Sequence, residues 1–141
     1  MIQRIQSLWL LLAAACAFIT YTLVLYIGTL PDSTTREFRL GDNFLLVMGI
    51  IGIAVLSLIT IFFFKNRKLQ LRLTILTIIL TIGYLFLQYL KIEQFKTENA
   101  ITTGSYQVAA LLPLVTIIFL IFAARGISKD EKLIKSLDRL R

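Results

Sequence analysis

The sequence predicts an all-α fold: an antiparallel bundle of four transmembrane helices, with a short amphipathic helix at the C-terminal end. Three observations carry this. Hydrophobic residues make up 57% of the 141 and charged residues only 16%, where a soluble domain would be about one-quarter charged. The charges are also bunched, with none in residues 5–31, 43–64, 73–90 or 99–124. Finally, a helix needs about 20 mostly apolar residues to cross a hydrocarbon core of about 30 Å, so each stretch supplies one span. The spans fall at about 7–28, 43–64, 71–90 and 106–124, leaving 1–124 as a membrane domain and 125–141 as a cytoplasmic tail.

The first span must be distinguished from a cleaved signal. Its start and the run Ala13-Ala14-Ala15-Cys16-Ala17 imitate a signal peptide or a lipoprotein site at Cys16. Against this, Ala13 stands where a lipoprotein site usually has leucine, and the chain stays apolar through Phe18, Ile19, Leu23, Val24 and Leu25. A signal's apolar region is about 7–15 residues; this run is longer and reads as a retained span. Pro31-Asp32 opens the following loop as a turn. Span two leads into a short basic connection with Lys65, Arg67, Lys68 and Arg72. Span three follows, then a loop of mixed charge over 91–105. In span four, Pro113 is expected to leave the Ala109 carbonyl without its helical donor and to kink the helix.

Orientation follows from the basic residues. Eleven of fifteen lie in the N-terminal segment, the 65–72 turn and the tail; only Arg36, Arg39, Lys91 and Lys96 lie in the other two loops. The positive-inside rule then puts both termini in the cytoplasm. The five tyrosines at 21, 26, 84, 89 and 106 fall in the outer half, with Trp9 at the inner interface, as an aromatic belt would place them. The tail has its own pattern: Ser128-Lys129-Asp130-Glu131 fits a capping box. Leu133, Ile134, Leu137 and Leu140 share one side of a helix suited to lie on anionic inner-leaflet lipid. Asp138, Arg139 and Arg141 end it as candidate contacts for a protein partner, since the arginine fork recognises carboxylates bidentately.

Within the spans one pattern is well defined. Thr74, Thr77, Thr81, Tyr84 and Gln88 recur at steps of three and four, so they line one face of span three, extended by Gln70 and Lys91. Lipid offers no hydrogen bonds, so this face should point at the other helices. Matching small faces stand on span one (Ala13, Cys16, Ala17, Thr20), span two (Gly49, Gly52, Ser57, Thr60) and span four (Ala109, Pro113, Thr116, Ala123). The plainer reading is packing, with hydroxyls bonded across helices. The sharper one is a hydroxyl-lined groove for a lipid or small amphiphile.

Several chemistries lack their residues. Histidine is absent and Cys16 is alone, which removes the commonest general base, any intramolecular disulfide and most zinc sites. No ionisable carboxylate or cation stands at mid-span, where coupled transport normally places one. No catalytic, cofactor or metal site is expected. The formal charge of +7 lies at span ends, where it meets lipid headgroups rather than nucleic acid.

The opening Met1-Ile2-Gln3-Arg4-Ile5-Gln6-Ser7-Leu8-Trp9-Leu10-Leu11-Leu12-Ala13-Ala14 resembles the start of a known family. The closing Ala124-Arg125-Gly126-Ile127-Ser128-Lys129-Asp130-Glu131-Lys132-Leu133 and Ser136-Leu137-Asp138-Arg139-Leu140-Arg141 resemble its end. This is a bacterial domain-of-unknown-function family with four predicted spans, from one lineage of Gram-negative bacteria. The resemblance implies an inner-membrane location and supplies no activity. The expectation is a non-enzymatic accessory or scaffold subunit of a membrane assembly, with a protein partner or a second copy bound at its ends. The alternative is a small-solute or lipid carrier using the span-three face.

Overall fold

In a computed structural model, residues 3–138 are described, with side chains for 5–133. Four long helices form: α1 (Gln3–Thr22), α2 (Phe44–Phe62), α3 (Arg67–Glu98) and α4 (Leu112–Asp138). All four are long and apolar enough to cross a membrane. α1 packs on α2 and α4, and α3 packs on the same two, so α1 and α3 stand on one diagonal of a square.

The helices pack through one repeated spacing. On α1 one buried series is Gln6, Leu10, Ala13, Ala17 and Thr20, with Ala14 beside it; on α2 it is Leu46, Ile50, Ile53, Ser57 and Thr60, with Ala54 beside it. On α3 the series is Gln70, Thr74, Thr77, Thr81, Tyr84 and Gln88, continued by Ile92, and on α4 it is Thr116, Leu120, Ala123, Ile127 and Asp130, preceded by Pro113. From Gln6 to Thr20, Leu46 to Thr60, Gln70 to Gln88 and Thr116 to Asp130 the steps alternate between three and four. That spacing is the one with which the facing sides of a left-handed helix bundle interlock along a seam. The outward faces are the reverse of a soluble protein's: Phe44, Leu45, Met48, Val55 and Phe62 of α2 are all exposed, as are Ile79, Ile82 and Phe86 of α3. An apolar exterior of this extent is unsuited to water.

Between the helices the chain does something the sequence did not announce. Helix α1 stops at Thr22, and Val24–Thr29, which read as the end of span one, is strand β1. It pairs antiparallel with β2 (Thr35–Arg39) on one side and β3 (Thr103–Tyr106) on the other, in the order β2-β1-β3. Since all three strands join helix ends at one end of the bundle, successive helices run antiparallel. The opposite end carries the tight 63–66 connection from α2 to α3 and the C-terminal half of α4. These are called below the sheet end and the basic end.

The sheet is seated on the helices by Leu25, Phe38 and Leu40, each 2% exposed or less. They join a core with Ile50, Ile53 and Ile92, and the Phe38 and Phe95 rings lie 5.1 Å apart. The β1–β2 loop turns at Ser33, whose φ of 62° is left-handed; the Leu30 amide donates to the Thr34 carbonyl at 2.9 Å. Gly104 is required by close approach, because a Cβ there would stand 2.8 Å from the Ile27 carbonyl oxygen and closer still to the Tyr26 hydroxyl.

Other element ends differ from expectation for identifiable reasons. Helix α3 continues past 90 to Glu98 because Ile92 and Phe95 find the sheet to pack on. At 32 residues it is about 48 Å long, more than a hydrocarbon core requires. Span four begins later than 106, since Thr103–Tyr106 is strand and Val108–Leu111 a 3₁₀ turn. Pro113 therefore sits in the first turn of α4, where its missing N–H is no loss. The Ala109 carbonyl accepts from the Leu112 amide, so it is not left open and the expected kink has no cause. The tail is likewise no separate helix: α4 runs unbroken to Asp138, so Ser128 lies inside it and caps nothing.

Candidate functional site

All five stripe residues face the interior. Thr74, Thr77 and Thr81 are fully buried, Tyr84 is 5% exposed and Gln88 4%. The hydroxyls do not bond across helices as expected. Thr74 donates to the Gln70 carbonyl, Thr77 to Leu73 and Thr81 to Thr77, at 2.7–2.9 Å. Ser57, Thr60, Thr20 and Thr116 do the same four residues back on their own helices. A hydroxyl that closes on its own backbone is satisfied without lipid and without a neighbour. The serine and threonine hydroxyls of the seam are thus self-contained in bonding. Replacing Thr77 and Thr81 together with valine keeps their shape and removes bonds made within one helix. The expected change in stability is below about 0.6 kcal/mol, the average for one polar contact between membrane helices, as read by reversible unfolding in mixed micelles.

At the sheet end the stripe closes on α4. Gln88 Nε2 donates to the Ala110 carbonyl at 3.1 Å, tying α3 to the 3₁₀ turn that leads into α4. Gln88 Oε1 and the Tyr84 hydroxyl are buried without a hydrogen-bond partner among the described residues. Tyr84 also forms part of the wall of an apolar groove of about 650 Å³ between α2 and α3, beside Gly49, Gly52 and Gly83. The other stripe members do not line it.

Beyond the sheet end, Lys96 is held in a small cage. Its Nζ lies 5.1 Å from the Tyr26 ring centre and 4.8 Å from that of Tyr106. It donates to Glu93 at 2.6 Å and to the Tyr106 hydroxyl at 3.1 Å. The two rings meet edge to face at 5.1 Å. Of the five tyrosines, Tyr26 and Tyr106 therefore serve the sheet, Tyr84 serves the core, and Tyr21 and Tyr89 are exposed on the bundle's flank. Trp9 stacks on Phe119 of α4 and meets the Phe122 ring at a tilt of 45°.

The most concentrated polar group is at the basic end, and sequence reasoning missed it. Asp130 is 6% exposed. Its Oδ2 accepts from Arg67 Nη1 at 2.5 Å and from Gln6 Nε2 at 2.6 Å. One carboxylate thereby joins α1, α3 and α4. Gly126, one turn before Asp130, makes room: a Cβ there would press on Gln6 Cγ at 2.8 Å. The signal was present in the spacing, because Arg67 precedes Gln70 by three and continues the span-three stripe. Asp130 likewise continues the series from Thr116. The proposed contacts Asp138, Arg139 and Arg141 lie outside the residues whose side chains are described.

Fold and site together define a four-helix bundle with an apolar exterior, a heptad-spaced polar seam, a strand cap at one end and an ion-paired lock at the other. The chain belongs to the family described as Domain of unknown function (DUF4293), which matches residues 2–140. No curated protein and no solved structure matches it.

Proposed function

We propose that the protein is a non-enzymatic accessory or scaffold subunit of an assembly in the bacterial inner membrane, with both termini cytoplasmic and the sheet on the outer side. One observation carries this reading. Strand β3 is a sheet edge: Thr103, Gly104, Ser105 and Tyr106 are exposed and uncharged, among the described residues the strand pairs with β1 alone, and Lys96 and Glu93 reach it at Tyr106. Edge strands are normally blunted by charge, as β2 is by Arg36, Glu37 and Arg39. The uncharged 103–105 stretch of this edge suits pairing with an extended segment of another chain. The seam supports the same reading, since its serine and threonine hydroxyls are satisfied within their own helices and, of the α3 stripe, Tyr84 alone lines the groove between α2 and α3, which leaves the carrier alternative with less to use.

The test is a photo-crosslinking residue at Ser105, activated in intact cells, with Ile79 on the exposed flank of α3 as comparison. One discrete protein adduct from Ser105 that Ile79 does not give is expected. Crosslinking to lipid alone at both positions would overturn the scaffold reading.

A further inference from the structure

The basic end has a second feature beside the Asp130 lock. Between α3 and α4 lies a groove of about 500 Å³, within the range of small-ligand sites, about 300–1,000 Å³. Its floor is apolar, made by Leu71, Ile75 and Ala124, and its rim is Arg125, Lys129 and Lys132, with Ser128 between. The rim cations stand at i, i+4 and i+7, hence on one face of α4. All three are exposed, and among the described residues none is in an ion pair. Asp130, next in sequence to Lys129, does not neutralise them, because it is turned inward onto Arg67 and Gln6. Exposed Lys68 and Arg72 lie within a turn of Leu71 and Ile75 on α3 and add to the same field.

We propose that this groove is a specific site for an anionic phospholipid, whose phosphate is held by Arg125, Lys129 and Lys132 and whose acyl chain lies along Leu71 and Ile75. The inference rests on the bundle being membrane-embedded. An apolar slot opening beneath a cationic rim at a helix–helix junction matches both halves of such a molecule, as basic pockets between membrane helices do elsewhere. Diffuse attraction to an anionic leaflet would depend on the number of charges and not on their position. The groove makes position matter.

The full chain in phosphatidylcholine micelles containing a minor fraction of phosphatidylglycerol, read by native mass spectrometry, tests this. Lys129→Gln should lower phosphatidylglycerol retention about fivefold, the equivalent of about 1 kcal/mol per cation. Lys65→Gln removes one charge from the same end, in the exposed turn before α3, and should leave retention unchanged. Ala124→Leu fills the floor, keeps every charge and should also expel the lipid; helix content by circular dichroism checks that each variant is folded. Equal losses from Lys65→Gln and Lys129→Gln would show leaflet attraction only and overturn the proposal. Full retention in Ala124→Leu would overturn it too. So would displacement by inorganic phosphate alone, which would make the ligand a free anion rather than a lipid.

Discussion

Asp130→Ala is expected to lower the stability of the bundle by about 3–5 kcal/mol, the range for removing one partner of a buried ion pair. The reason lies in what the substitution leaves behind. Arg67 keeps its charge with its side chain only 16% exposed, and Gln6 loses the acceptor of its 2.6 Å bond while remaining 4% exposed. The carboxylate is a three-helix junction, so its loss loosens α1, α3 and α4 together. Removing Arg67 as well should restore part of the loss, because partners in one network are not additive. Thermal or denaturant unfolding in detergent, with the double variant alongside, measures both effects. A loss within about 0.5 kcal/mol, the ordinary range for surface changes, would show that the junction is not structural.

Phe38→Ala is the second large effect, about 3–5 kcal/mol for deleting a buried phenylalanine. Phe38 is 2% exposed and sits on Phe95 of α3, two turns beyond Gln88. It is the one side chain of β2 buried beneath the sheet. Its deletion should free the cap while the helices persist. Protease sensitivity in the 30–34 loop should rise with little change in helical content. Since Phe38 and Asp130 lie at opposite ends of the bundle, their effects should add within about 0.5 kcal/mol. Strong coupling between them would mean that the seam transmits strain from end to end.

The four helices were legible because charge-free length is a direct consequence of bilayer thickness, and the α3 stripe because periodicity records which face avoids lipid. The sheet was not. Val24–Thr29 is uncharged and apolar apart from its last residues, so by hydropathy it continues span one. A short apolar run does not distinguish strand from buried helix. Its β-branched and aromatic content, ending in Gly28-Thr29, was the available hint. Thr35–Arg39 is polar and reads as loop until Phe38 is given a core to enter. The Asp130 junction failed for a different reason. Ser128 to Glu131 satisfies a local capping pattern, whereas the partners that decide the geometry are 63 and 124 residues away. Local consistency concealed a tertiary contact. The expectation for the threonine hydroxyls erred in the opposite direction: it sent them across helices, when each had a carbonyl available four residues back.

The central claim is that the sheet end and the basic end face opposite sides of one membrane. Single cysteines at Ser33, in the exposed β1–β2 loop, and at Lys65, in the exposed turn before α3, test it in a Cys16→Ala background. A thiol reagent that cannot cross the inner membrane should label position 33 in intact cells and position 65 only after that membrane is opened. Equal labelling of both positions in intact cells, or labelling of 65 alone, would contradict the account.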